Sequence, residues 1–456
     1  MAVIRKRLIF WLIKAYIKKS GKTILFSFLG GLIIFFILLF IGKYYSHIFP
    51  FTKEETVGLV GAYTEDSLPT DITSKIAIGL TIVAPDGSIQ PGLASSWDIM
   101  DNGKTYQFHL KPGVHFYDGQ EVTSNTINYN FSDVNEIKSD KYTIIFKLKD
   151  SYAPFLVTVS KPIFDKGFSG VGDYHLEKIS TNGSFVQSLT LSSSKDTQSI
   201  INYEFFPSDD ALKTAYLLGE ISEIEGITSS SINGINPTSF PNTTITKQAD
   251  YTQLVTLFFN NNDNYLSNKK IRLALAYATP DKFTQGTSAY SIYSPYSQYY
   301  NQDLDKRSQD LAHAQLLLQP DSTSSLSGQA KPPSNLTIKT FPKFRSTAES
   351  IAAAWEKLGI KTQIEEVDAM PTDYQVFLGD YNIPKDPDQY TLWHSEGPDN
   401  ITHYKDLRID KLLEDGRKTI DVTQRKSIYD DFQKFLLEDS PAVFLYYPTE
   451  YTITRK

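Results

Sequence analysis

The chain has 456 residues, with 45 Lys+Arg against 52 Asp+Glu and a formal charge of −7. Nine of the basic residues precede Glu54, the first acidic one, so the remainder carries 36 basic against 52 acidic residues, about −16, which argues against nucleic acid as a partner. Cysteine is absent, and with it structural disulfides, thiolate nucleophiles, Cys-ligated metals and a lipidated cysteine anchor.

Thr23 to Gly42 is almost continuously apolar and long enough for one transmembrane helix. Arg5, Lys6, Arg7, Lys14, Lys18, Lys19 and Lys22 lie upstream, so the positive-inside rule puts residues 1–22 in the cytoplasm and everything after a 43–56 stalk outside. Tyr44-Tyr45-Ser46-His47 offers no small-x-small cleavage site, which favours a retained anchor over a signal peptide. Leu8 to Ile17 mixes apolar residues with lysine. It reads either as a segment in the inner headgroup plane with Trp11 at the interface, or as a flank that only sets orientation.

About 400 residues remain, more than one hydrophobic core usually organises, and two lobes are expected. Strand-like and helix-like pieces alternate, giving a mixed α/β (α+β) class. Lys104–Leu110 alternates at period two ahead of turns at Pro112-Gly113 and Asp118-Gly119, and Tyr142–Leu148 and Ser184–Leu191 are further strands. Helices are predicted over Leu304–Gln319, over the segment from Ser346 to Leu358 with Ser346 and Glu349 at capping-box spacing, and over "LRIDKLLEDGRKT" and "VTQRKSIYDDFQKFLLED". Asp321–Ser334 is poor in apolar residues and reads as a surface loop.

No HExxH, GxSxG, phosphate loop or EF-hand loop occurs, and the seven histidines are scattered, with His109/His115 and His394/His403 the nearest to pairs. The expectation is a binding protein without catalytic residues, cofactor or metal. The most unusual text is "VFLGDYNIPKDPDQYTLWHS", Val376 to Ser395, which gathers Asp380, Asp386 and Asp388 with Tyr381, Tyr390 and Trp393. A carboxylate beside aromatic walls suits a cationic amine, through charge pairing and cation–π contact; an acidic surface loop is the alternative.

Several collinear segments resemble the family 5 extracellular solute-binding proteins, the oligopeptide-, dipeptide- and nickel-binding receptors of ABC importers. They are Asp86–Phe131 ("DGSIQPGLASSWDIM…GVHFYDG"), "GVGDYHLEKI" with Asp173 where proline is usual, "LVTLFFNNND" with "KKIRLALAYA", and "NITHYKDLRIDKLLEDGRK". The resemblance covers about Val57 to Thr454. It implies a periplasmic-binding-protein-like fold of two lobes joined by hinge strands: lobe I at 57–253, lobe II at 254–439 and a return strand to lobe I at 440–456. It also implies a peptide or other small solute as ligand, an ABC permease as partner, a monomer, and a ligand ammonium held by an aspartate of lobe II. Asp380 matches that position, and Phe377 stands where tryptophan is often found. The distance from Asp380 to "DPDQY" exceeds the usual, which leaves Asp386 as an alternative. Tyr446 and Tyr447, on the return strand, are placed beside the cleft. A sensor or adhesive module derived from such a receptor is the second functional reading. "YATPDKF" departs from the family pattern and the external part is short, so pocket size is not inherited.

Overall fold

The structure, a computed structural model, describes residues 6–45, 53–196, 199–232, 234, 240, 242–319 and 333–455. It divides into two units, one comprising the N-terminal residues to Glu54 with Asp196–Ile200, the other the rest of the chain. The N-terminal unit is built on a helix, Lys6–Tyr45. Among the described residues no single helix is long and apolar enough to cross a membrane; Lys14–Thr23 and Leu25–Ile37 meet that test as a pair, bent by 56°. A strand begins at Lys53, within the expected 43–56 stalk, of which residues 46–52 lie outside the described residues. Most of the expected loop Asp321–Ser334 lies outside the described residues.

In the larger unit, alternate side chains of Thr105–Leu110 and Thr143–Leu148 are buried, as period-two sequences require of a sheet covered on one face. With Ala94–Met100 and Val134–Asp140 they form an antiparallel four-stranded sheet. Its core is aromatic: Phe155 lies 4.8 Å from Tyr106 and 5.3 Å from Phe146 between ring centres.

The main sheet has twelve strands. Ten follow one path: Lys361–Glu366, Asn335–Thr340, Val376–Asn382, Gln253–Phe259, Ala442–Arg455, Glu223–Ile227, Lys53–Val60, Ser199–Phe206, Phe185–Ser193 and Tyr174–Asn182. Ala442–Arg455, the closing strand, is the longest at 14 residues. Its first part pairs antiparallel with Gln253–Phe259 (Phe258 opposite Ala442, Val255 opposite Tyr446). Its last part pairs with Glu223–Ile227 and Thr243–Ala249. Buried residues between 254 and 447 make two hydrophobic clusters, and those between 57 and 232, with Ile453, make three others. One strand therefore runs through regions with separate cores.

Leu407–Lys418 and Val422–Asp439 are helices as their periodicity predicts, each opened by an aspartate: Asp406 accepts from the amides of Arg408 and Ile409, and Asp421 from that of Gln424. Two expectations are corrected. The helix predicted from Leu304 begins only at Leu311, capped by Asp310. The guanidinium of Arg307 donates to the carbonyls of Ala276, Thr279 and Pro280, which ties the preceding segment down in non-helical form. Likewise Ser346 is no cap. A 3₁₀ turn at Pro342–Phe344 leads directly into the helix Arg345–Glu356, Ser346 accepts from the Gln285 side chain, and Glu349 pairs with Arg345 at 3.0 Å.

Glu225, half-buried on Glu223–Ile227, is pushed up to about 7 by burial and then by Glu223, with Lys75 opposing and Asp71 adding to the shift. A carboxyl whose folded pKa exceeds its unfolded value keeps its proton longer when folded, so stability falls as pH rises from about 4.5 to about 7. Urea unfolding followed across that range is expected to show this decline in the parent protein and to lose that part of it in Glu225→Gln.

Candidate ligand-binding site

Val376–Asn382 is apolar in its first half and polar in its second, and its partners differ accordingly. On one side it pairs antiparallel with Gln253–Phe259 along its whole length, Leu254 opposite Tyr381 and Val255 opposite Asp380. On the other side the parallel partner Asn335–Thr340 stops at Thr340, opposite Leu378. From Gly379 onward, among the described residues, the second edge has no strand beside it. Phe377 is buried, stacked 6.2 Å from Phe258 and edge-on to Phe341 at 5.5 Å. Its ring lies where a Cβ on residue 379 would be, which is why that position is glycine.

Asp380 sits on the half-open stretch. Its carboxylate is 2.7 Å from the ammonium of Lys343, and side-chain exposure is 15% for the aspartate against 53% for the lysine. The pair is thus a partly shielded acid with a half-exposed counterion. Close by, the Tyr446 hydroxyl shares a hydrogen bond of 2.8 Å with Thr347; burial, opposed by that bond and aided by the Asp380 charge, pushes it up to about 12. Tyr446 and Tyr447 are both buried, and Tyr447 donates to the carbonyl of Tyr293 at 2.7 Å. Tyr381 packs 6.1 Å from Phe258, and its buried hydroxyl has no hydrogen-bond partner. Burial holds that phenol well above its ordinary pKa.

The other two aspartates are committed internally. Asp386 receives both terminal nitrogens of Arg425, at 2.9 and 2.6 Å, with both side chains buried, and it also accepts from the amide of Asp388. Asp388 receives Arg417 at 2.8 and 2.7 Å. Arg417 lies 4.0 Å over the Tyr390 ring and 5.6 Å from that of Tyr152. Its carbonyl accepts from the amide of Ala153 at 2.8 Å, so this ion pair also joins the segment after Asn382 to the region of the four-stranded sheet. Trp393 is 1% exposed and edge-on to Phe444, within the core.

Of the seven residues singled out from the sequence, then, Asp380 and Tyr381 share the half-open strand with Phe377 beneath. Asp386, Trp393, Tyr446 and Tyr447 lie buried around it. Lys343, Arg417 and Arg425 were missed. A signal existed: three aspartates within nine residues leave a loop with one lysine, so any aspartate that is buried must take its cation from elsewhere in the chain. Gly170 and Gly172 lie against the carbonyls of Ile76 and Lys75, where a Cβ would collide. His109 pairs with Asp98 at 3.0 Å, and His394 stacks on Tyr390 at 4.0 Å. Among the described residues no group of three or more His, Asp or Glu is placed to hold a metal ion.

This geometry holds a carboxylate beside an open strand edge, an arrangement suited to binding a cation. The profile of the bacterial extracellular solute-binding proteins, family 5, matches residues 88–402, and the chain belongs to that family, whose members bind rather than catalyse. It is 24% identical over 464 residues to the oligopeptide-binding protein AppA of Bacillus subtilis, covering 85% of this chain and 84% of that one. It is 23% identical to the dipeptide-binding protein of Escherichia coli, covering 80% and 82%. Among solved structures, the substrate-binding protein CtaP of Listeria monocytogenes superposes with a TM-score of 0.71 at 20% identity, over 88% of this chain and 94% of that one. A nickel ABC transporter protein of Bacillus halodurans gives 0.72 at 16% identity, over 88% and 95%. The fold is thus the mixed α/β one of periplasmic binding proteins.

Removing one partner of a buried ion pair strands the other, at a cost of about 3–5 kcal/mol, whereas a solvated pair contributes at most about 1 kcal/mol. Asp386→Ala is therefore expected to lower the urea midpoint sharply and Asp380→Asn hardly at all, measured side by side.

Proposed function

We propose that the protein is the membrane-anchored, extracytoplasmic receptor of an ABC importer and captures a peptide or another small solute bearing an amine. The observation that carries this reading is the half-open stretch Gly379–Asn382 with Asp380 on it. An extended ligand adds there as a strand, exchanging main-chain hydrogen bonds that every peptide can make, while its ammonium meets the Asp380 carboxylate. Phe377, Tyr381, Trp393, Tyr446 and Tyr447 hold that strand in place. Asp386 is spent on Arg425, which leaves Asp380 as the ammonium anchor. Names of relatives support the solute class: oligopeptide-binding, dipeptide-binding and di/tripeptide-binding proteins.

Lobe I is taken as 57–253 with the return strand and lobe II as 254–439, hinged where the closing strand passes between their cores. The apolar stretch Thr23–Gly42, which includes the helical arm Leu25–Ile37, anchors the chain, N-terminus inside, and keeps a monomeric receptor near its permease, raising its effective concentration there.

Native mass spectrometry of the full-length protein as expressed is expected to reveal a retained peptide-sized ligand. By calorimetry, Asp380→Asn should weaken peptide binding tenfold or more, corresponding to about 1.5–3 kcal/mol for a partly desolvated charge pair. Because Lys343 competes for the same carboxylate, Lys343→Met should strengthen binding of a C-terminally amidated tripeptide. Unchanged affinity in Asp380→Asn removes the anchor assignment; no binding from any peptide library removes the importer role.

A further inference from the structure

The bend in the N-terminal helix separates two arms of different chemistry. Leu25–Ile37 contains no charged residue, and the helical backbone continues to Tyr45, so Leu25 to Tyr45 reaches roughly 30 Å at 1.5 Å per residue, the thickness of a hydrocarbon core. Lys14–Thr23 carries Lys14, Lys18, Lys19 and Lys22, and turns away by 56°. A flank that merely set orientation would have no need to leave the axis of the span. The Ser20-Gly21 pair, just before the turn, is the kind of sequence at which helices kink.

Two observations on this arm converge. Trp11, Lys14, Lys18 and Lys22 recur at three- and four-residue steps and so share one face, whereas Tyr16 falls on the opposite face, 68% exposed. The arm thus carries a basic face with one aromatic ring beside its lysines and a second ring opposite, a combination found in helices that lie at a membrane surface. In addition, a hollow of about 360 Å³ at the bend is lined by Ile17, Lys18, Lys19, Ser20, Gly21, Lys22 and Thr23. Three lysines, a serine, a threonine and a glycine line one concavity, a set whose ammonium and hydroxyl groups suit a phosphate in charge and in hydrogen-bond donors. No acidic residue precedes Glu54 to compete for them.

We propose that the arm Lys14–Thr23 docks on anionic phospholipid of the inner leaflet, with a headgroup phosphate seated among Lys18, Lys19 and Lys22. The proposal rests on the anchored reading above and adds a lipid site to it. Charge selects the lipid, since each lysine near an anionic surface gains attraction that a zwitterionic surface does not supply. The site fixes the tilt and depth of the anchor.

The chain has no cysteine, so a single introduced one carries a unique label. Full-length Tyr16→Cys and Ile33→Cys proteins, labelled with an environment-sensitive fluorophore, are reconstituted in vesicles of phosphatidylcholine alone or mixed with phosphatidylglycerol. The expected result is that the Tyr16 label moves to a blue-shifted, brighter state only with phosphatidylglycerol. Combined Lys18→Ala, Lys19→Ala and Lys22→Ala changes are expected to shift the population back tenfold or more, while the corresponding three arginine changes retain the response. Salt at about 1 M, where screening falls to about 3 Å, is expected to abolish it. A Tyr16 label indifferent to phosphatidylglycerol, or unaffected by the alanine changes, overturns the proposal. The Ile33 label reports the anchor separately. If it stays in water in every vesicle while the Tyr16 label still follows lipid charge, the span fails and the headgroup site stands.

Discussion

The constraint on which the rest depends is the closing strand. Residues 442–455 lie in the middle of the main sheet, hydrogen-bonded at one end to Gln253–Phe259 and at the other to Glu223–Ile227. The strand bearing Asp380 is joined to the closing strand through Gln253–Phe259, which pairs with Ala442–Tyr446, while its other partner, Asn335–Thr340, reaches only as far as Leu378. Position and orientation of the candidate site are therefore set by main-chain bonds between segments about 200 residues apart. Side chains then finish the placement, Phe377 filling the space over Gly379 and Tyr446 tying the closing strand to Thr347.

Within that frame, charge accounting decides which acid is available. Three aspartates lie between residues 380 and 388, and each has a basic partner: Lys343, Arg425 and Arg417. The partners are not equivalent. Arg425 is buried and bidentate, the geometry in which a guanidinium is least replaceable, and Arg417 is stacked on Tyr390. Lys343 is a flexible, half-exposed point charge. Displacing Lys343 from its carboxylate would therefore cost less than displacing Arg425 or Arg417, which burial and stacking hold in place.

Much of this was legible from residues alone. Period-two text gave the strand at 105–110, amphipathic periodicity gave the helices after 406 and 421, and the collinear segments gave the family. What was not legible was pairing at a distance. Asp386 and Asp388 look as free as Asp380 in the sequence, since Arg417 and Arg425 follow them by about 30 and 40 residues on two helices. Tyr446 and Tyr447 likewise read as cleft residues, whereas their hydroxyls are consumed by Thr347 and by the carbonyl of Tyr293. The misplaced helix start at Leu304 has the same origin, because Arg307 satisfies carbonyls from another segment and local propensity cannot record that.

The closing strand also has a consequence for biosynthesis. Until residues 442–455 are available, Gln253–Phe259 and Glu223–Ile227 each present an unpaired inner edge, and such edges invite foreign strands. Topologies dominated by distant pairings fold slowly. The newly made chain thus passes through a stage in which its seam is open, and the two edges stay available to foreign strands until residues 442–455 sew it shut.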